Sequence, residues 1–116
     1  MCRLISGFVH KVIISTRFIP RGFAAMTVWP LILVRPECRH DNALIEHELV
    51  HYREQAWITP WWMVRYLLSK KFRLAAEIRA YRVQIALDGI THAAAAHMLT
   101  QYRLGITFTE ALEALA

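Results

Sequence analysis

The first third of the chain alternates apolar runs with turn residues, which is typical of β-strands. Residues 4–19 are rich in β-branched and aromatic side chains and predict one or two strands. Residues 20–22 are a Pro-Arg-Gly turn signal, and residues 23–34 predict a second strand. Pro30 cannot donate a ladder hydrogen bond, so we expect an edge strand or a break into two short strands. An edge strand could take up a peptide as a further strand, although this segment could equally be a buried wall of the sheet.

From residue 41 onwards the apolar positions recur at helical spacing. Asp41 or Asn42 is a suitable N-cap for a first helix over residues 43–58, which ends before Pro60. Its core stripe consists of four residues at helical spacing: Ile45, Leu49, Tyr52 and Ala56. Residues 61–68 are aromatic and apolar, and they predict part of the core or the wall of a cleft.

The last third of the chain predicts three further helices. One covers residues 72–87 and is closed by Asp88 and Gly89; the next covers residues 93–102. A capping box, Thr107 to Glu110, begins a last short helix that runs to residue 115. We therefore predict a single α+β domain over residues 1–116, with a small mixed or antiparallel sheet of two to three strands within residues 4–34. This sheet packs on a pair of helices, and additional helices follow at the C-terminus.

Composition narrows the function classes. Hydrophobic residues make up 56% of the 116 residues, which excludes a disordered chain and allows a sizeable core. The net charge is +5, from 14 basic and 9 acidic residues. The densest run of basic residues consists of Arg65, Lys70, Lys71, Arg73, Arg79 and Arg82. Such a run is usually a solvated helix face; the alternative is a surface that binds nucleic acid or an anionic membrane.

The cysteines and the N-terminus favour a cytoplasmic protein. Cys2 and Cys38 have no C-x-x-C spacing, so a reducing compartment is the simpler interpretation. The apolar N-terminal stretch is interrupted by His10 and Lys11, which is unlike a signal peptide. No window of about 18 uninterrupted apolar residues predicts a membrane-spanning helix.

The candidate chemistry lies in the first helix, where residues 47–51 read His-Glu-Leu-Val-His. Residues four apart on a helix stack one turn above each other, so His47 and His51 can present two imidazoles to one zinc ion. Glu48 is rotated by about 100° from His47 and can serve as a general base beside the ion. The alternative is that His47 and His51 are ordinary surface histidines. The apolar residues around the motif argue against this alternative.

A catalytic zinc ion needs a third protein ligand. Position 57 is Trp, so no histidine extends the motif along the same helix, and Glu54 lies one turn too far along the axis, where it could orient a ligand instead. Glu77 is a lone acid in a mostly apolar and basic helix, flanked by small residues, and burying it requires a partner. Zinc would be such a partner; a salt bridge to Arg73 or Arg79 is the alternative.

These motifs resemble the gluzincin class of zinc metallopeptidases. His-Glu-Leu-Val-His followed 26 residues later by Glu77-Ile-Arg-Ala-Tyr is similar to their H-E-x-x-H helix and glutamate helix, and the short length resembles the single-domain minigluzincins. The resemblance covers about residues 24–87. It implies a zincin-like pair of helices, one Zn²⁺ held by His47, His51 and Glu77, and Glu48 as the general base. No second subdomain follows, so the edge strand alone, or a partner chain or second copy, would complete the cleft.

The resemblance implies hydrolysis of peptide bonds in a peptide or protein substrate. Tyr81 is the first candidate for a donor to the oxyanion, although a packed tyrosine is the more common situation. His92 and His97 are further candidates, and Gln55 could bond to the edge strand or a ligand loop or be solvated. A zinc-containing binding or regulatory module with little or no hydrolysis is the main alternative to a zinc metallopeptidase. A basic nucleic-acid or membrane-surface protein with an accidental motif is the third.

Overall fold

The structure is a computed structural model that describes residues 12–101 and 104–116. These residues form a three-stranded sheet and five α-helices, which confirms the predicted α+β class. Residues 4–11 of the predicted strands lie outside the described residues. The elements are β1 (Ile13–Ser15), β2 (Ala25–Val28), β3 (Leu31–Val34), α1 (Asn42–Gln55), α2 (Thr59–Leu68), α3 (Lys70–Ala86), α4 (His92–Thr100) and α5 (Phe108–Leu115).

The sheet is mixed and has the strand order β1-β3-β2. β3 pairs in parallel with β1 and antiparallel with β2, with Thr27 opposite Ile32. The predicted strand over residues 23–34 is thus two strands, because the turn at Trp29 and Pro30, joined by a cis peptide bond, separates them. β2 is an edge strand, whereas β3 is central and fully buries Ile32 and Val34.

Helix α1 begins where the sequence predicts and ends earlier. The Asp41 carboxylate accepts a 3.0 Å hydrogen bond from the Leu44 N–H, as an N-cap does. The helix ends at Gln55 rather than residue 58, because Trp57 has a positive φ of 64° that breaks the helical path.

The segment over residues 61–68 is a separate helix, α2, which the sequence analysis did not assign. Pro60 lies in its first turn, where a missing N–H leaves no helical hydrogen bond unmade. Helix α3 follows at once and starts at Lys70, two residues before the predicted start, because the Ser69 hydroxyl caps it by accepting from the Phe72 N–H.

The end of α3 packs tightly against the start of α1. Asp88 has a φ of 58°, and the Gly89 N–H donates to the Gln84 carbonyl at 2.9 Å, which closes the helix. A Cβ atom on Gly89 would lie 2.1 Å from the Cβ of Ala43, so only glycine fits this close approach. The contact fixes α3 beside α1.

Two hydrophobic clusters hold the helices and the sheet together. One joins the sheet to α1 through Ile32, Ile45, Leu49 and Tyr52. The other joins α3, α4 and α5 around Leu99. Thr91 caps α4, and the predicted capping box from Thr107 to Glu110 begins α5. Helix α1 therefore lies between the sheet and α3. Within the described ranges, no helix is long and apolar enough to cross a membrane.

Candidate metal centre

The two motif histidines lie one turn apart on α1 and are both buried. Helix α3 runs beside α1 and brings the buried Glu77 carboxylate to them. Its Oε1 lies 3.3 Å from Nε2 of His47, and its Oε2 lies 3.2 Å from Nε2 of His51. One ligand atom from each residue lies within 4.8 Å of the other two. The two-helix arrangement expected from the sequence is therefore present.

The chemistry of this group fits a metal ion. Nε2 of His51 and Oε1 of Glu77 are buried, and their contacts with the described residues lack hydrogen-bond geometry. Buried polar atoms without well-formed hydrogen bonds are costly, and a cation in contact with both would satisfy them. Two imidazole nitrogens and one carboxylate are also the donor set of many catalytic zinc sites. His47, His51 and Glu77 could thus hold one metal ion.

Without a metal ion, the carboxylates stabilise a protonated histidine. Burial disfavours the imidazolium of His51, but the Glu77 carboxylate, together with Glu54, outweighs it and raises the pKa of His51 to about 10. Burial also works against the charge on Glu77, yet His51 and then His47 hold its pKa well below the usual range. A metal ion would have to displace the proton from His51.

Glu54 and Arg79 form the outer support of His51. Oε1 of Glu54 lies 3.7 Å from Nδ1 of His51, and Arg79 donates a 2.6 Å hydrogen bond to Oε2 of Glu54. Burial would raise the pKa of Glu54, but His51 and Arg79 lower it. Glu54 is thus placed to orient a ligand, as expected, and Arg79 pairs with Glu54 rather than with Glu77. Arg73 donates to the carbonyl oxygens at the end of α2.

Tyr66 on α2 contacts the site and was not identified from the sequence. Its hydroxyl donates to Oε2 of Glu77 at 2.5 Å, and its ring stacks on Trp62 with centroids 4.9 Å apart. Burial and then the charge of Glu77 raise the pKa of the Tyr66 hydroxyl above its ordinary value. The available signal was the spacing of Trp62 and Tyr66, four residues apart and thus on one face of a helix.

Glu48 lies beside the histidine–glutamate group rather than within it. Its Oε2 is 4.0 Å from Nε2 of His47. The hydroxyl of Thr27 on β2 donates a 2.7 Å hydrogen bond to Oε1 of Glu48 and lies 3.1 Å from the Glu48 carbonyl oxygen. This bond holds one carboxylate oxygen and leaves the other oriented towards the histidines. Thr27 could not be assigned a role from the sequence, because its contact with Glu48 depends on how β2 is positioned against α1.

Gln55 ties α1 to the edge strand, which confirms one of the alternatives for this residue. Its Nε2 donates to the Thr27 carbonyl at 3.0 Å, and its Oε1 accepts from the Trp29 N–H at 2.8 Å. The side chain is only 1% exposed, so both bonds are shielded from water. Gln55 therefore fixes the position of β2 relative to His51 and Glu48 on α1.

These residues open into a cleft of about 540 Å³ between β2 and the helices α1 and α2. Its polar part is the candidate metal centre with Glu48, Thr27 and Gln55, and its apolar part comes from β2 and α2. The remaining lining residues are Phe23, Ala25, Met26, Trp62, Met63, Tyr66, Leu67, Arg73 and Gln101. The cleft is large enough for several side chains of a ligand.

The candidate oxyanion donors do not line this cleft. Tyr81 is buried in the cluster formed by α3, α4 and α5, and its ring lies nearly perpendicular to that of His47 with centroids 4.4 Å apart. His92 and His97 lie exposed on α4. The structure thus brings His47, Glu48, His51 and Glu77 together and places Tyr81 behind His47.

Comparison of the chain with models of protein families, with curated proteins and with solved structures returned no match.

Proposed function

We propose that this protein is a zinc-dependent metallopeptidase. The observation that carries the proposal is the convergence of His47, His51 and Glu77 from two helices, with the Glu48 carboxylate beside them and a cleft in front. The Glu48 carboxylate supports hydrolysis, because a general base must lie beside the metal ion without binding it. Zinc in such a site supplies Lewis-acid chemistry, which polarises a carbonyl group and makes a water molecule more acidic.

Glu48 moves the protons of the proposed reaction. Oε2 of Glu48 accepts a proton from the attacking water molecule while the oxygen of that water molecule bonds to the amide carbon. The same carboxyl group then gives the proton to the amide nitrogen as the carbon–nitrogen bond breaks. Thr27 holds Oε1 during both transfers, so that the carboxylate keeps one orientation.

The edge strand β2 supports a peptide as the substrate. The Arg35 N–H bonds to the Ala24 carbonyl, so by the alternation of an antiparallel ladder the backbone groups of Ala25 and Thr27 point away from β3. Gln55 takes the Thr27 carbonyl, while Ala25 lies along the cleft. An extended peptide that pairs with β2 would place its amide bond near Glu48.

The test compares wild-type protein with Glu48→Gln. Both should bind about one equivalent of zinc, because Glu48 is not in the ligand group. Only the wild type should hydrolyse a mixed peptide library, since the amide that replaces the Glu48 carboxylate cannot accept the proton. Glu46→Gln, a substitution at a half-buried acid on the same helix, is the matched control and should leave hydrolysis unchanged.

Two outcomes would contradict the proposal. Hydrolysis that survives Glu48→Gln would show that Glu48 is not the base. Zinc binding that stabilises the fold, with no hydrolysis by the wild type, would instead indicate the peptidase-like binding or regulatory module.

A further inference from the structure

Helix α2 exposes an unusually large apolar surface. Trp61, Val64 and Leu68 lie on one face at helical spacing, and they are 63%, 47% and 82% exposed. Trp57 and Ile58, which directly precede the helix, are 84% and 48% exposed. We call these five residues the α2 face. The opposite side of α2 carries Trp62 and Tyr66, which pack towards His51.

A helix with large apolar residues on two sides normally buries both sides. Helix α2 buries one side against the candidate metal centre and leaves the other open to solvent. Scattered exposed apolar residues are common, but three on one side of a helix, with two more directly before the helix, indicate a surface that contacts another apolar phase. We therefore expect a binding partner to cover the α2 face.

The charge around the α2 face indicates which occupant fits. Between Glu54 and Glu77 the chain has no acidic residue and four basic ones: Arg65, Lys70, Lys71 and Arg73. Arg65, Lys70 and Lys71 are exposed, and the Arg65 guanidinium lies over the Phe72 ring at 4.5 Å. Tryptophan beside lysine and arginine suits the boundary between lipid headgroups and acyl chains, and the bases attract anionic headgroups.

We propose that the α2 face docks on the surface of an anionic lipid bilayer. A second copy of the chain fits less well, because a twofold contact through this face would bring the same basic residues against each other. The bilayer instead buries Trp61 and Leu68 while it neutralises Lys70 and Lys71. This docking is independent of the proposed peptidase activity.

Docking through α2 would place the cleft at the bilayer surface. Trp62, Met63 and Leu67 of the same helix line the cleft, so its apolar wall is the reverse side of the docked helix.

The experiment measures co-sedimentation with vesicles of phosphatidylcholine alone and with vesicles that also contain phosphatidylglycerol. Wild-type protein should bind the second kind, and added salt should weaken the binding. Trp61→Ser/Leu68→Ser should weaken it by about tenfold or more. Lys70→Gln/Lys71→Gln should weaken it by about 25-fold, since each basic residue near an anionic surface contributes about fivefold.

Matched controls separate this face from general stickiness and charge. Phe18→Ser removes an exposed aromatic residue elsewhere, and Arg17→Gln/Arg39→Gln removes two other exposed charges; the apolar control should bind as the wild type does, and the charge control should lose less than Lys70→Gln/Lys71→Gln. Glu48→Gln should also bind normally, which keeps this test separate from the peptidase test. Circular dichroism checks that each variant is folded.

Three results would overturn the proposal. The first is no binding to phosphatidylglycerol vesicles, and the second is binding that the α2 variants leave unchanged. The third is a wild-type dimer in light scattering that Leu68→Ser converts to a monomer, with no vesicle binding, because a second copy would then cover the α2 face.

Discussion

The hydroxyl of Tyr66 donates a hydrogen bond to Oε2 of Glu77, the same oxygen that lies 3.2 Å from Nε2 of His51. Helix α2 is thereby linked to the carboxylate that α3 supplies to the candidate metal centre. A donor on a ligand oxygen fixes the orientation of the carboxylate and leaves its other oxygen free for the metal ion. Tyr66 is therefore a positioning residue for Glu77.

Tyr66→Phe should weaken zinc binding by about tenfold to a hundredfold, because outer-shell hydrogen bonds of metal ligands typically contribute that much. The dissociation constant can be measured by competition with a chromophoric chelator. Equal affinities for wild type and Tyr66→Phe would show that the hydrogen bond does not position the ligand.

Zinc affinity should rise with pH because the ion competes with a proton on His51. The pKa of His51 without metal is raised to about 10, so the residue is protonated at neutral pH and must lose one proton when its Nε2 binds zinc. The Glu77 carboxylate, with its lowered pKa, releases none. Near neutrality the apparent association constant should increase about tenfold per pH unit from this group. Calorimetry in two buffers of different ionisation enthalpy should detect the released proton, and a pH-independent affinity would contradict this.

The raised pKa of His51 also predicts how the stability of the metal-free protein changes at alkaline pH. The protonated His51 stabilises the folded state fully below the pKa of the unfolded state, about 6.5, and this stabilisation is lost as the pH rises through about 10. The depressed pKa of Glu77 acts at the other end, since its contribution is lost as the pH falls into the acid range. Denaturant titrations of metal-free protein should therefore show the largest free energy of unfolding in mildly acidic solution, as far as these two groups determine it.

The sequence predicted which residues come together in the candidate metal centre better than it predicted their surroundings. The positions of His47, Glu48 and His51 follow from the helical repeat alone. Glu77 could be selected because an isolated acid in an apolar helix needs a partner. The contact between Glu77 and the histidines is long-range, however, and depends on how α3 packs against α1, including the close approach of Gly89 to Ala43.

Helix α2 shows why the rest could not be predicted. Its apolar residues lie on two sides, so the segment could equally be part of the core or the wall of a cleft, and Pro60 ends one helix as readily as it begins another. Because the sequence did not predict α2 as a helix, Tyr66 could not be placed beside Glu77. Tyr81 was therefore the tyrosine that the sequence favoured. The side chain of Tyr81 instead belongs to the cluster around Leu99.

Thr27→Val should lower the rate of the proposed hydrolysis without changing zinc content. Valine has the shape of threonine and suits a strand, but it cannot donate the 2.7 Å hydrogen bond to Glu48. A base that is no longer held in one orientation should lower kcat by about tenfold to a hundredfold. Thr27→Ser keeps the hydroxyl and should stay near the wild-type rate. Equal rates for the valine and serine variants would show that Thr27 only packs against α1.

Gln55→Leu should destabilise the metal-free protein and detach the edge strand from α1. Leucine fills a similar volume but leaves the Thr27 carbonyl and the Trp29 N–H without the partners that Gln55 provides. Each of the two lost partners in a buried setting costs about 1–3 kcal/mol, so the free energy of unfolding should fall by about 2–6 kcal/mol. Chemical denaturation followed by circular dichroism measures this fall. Arg53→Leu, at an exposed position of the same helix, is the control and should change stability by about 0.5 kcal/mol or less. If Gln55→Leu changed the free energy of unfolding no more than this control, the two hydrogen bonds would not fix β2 against α1.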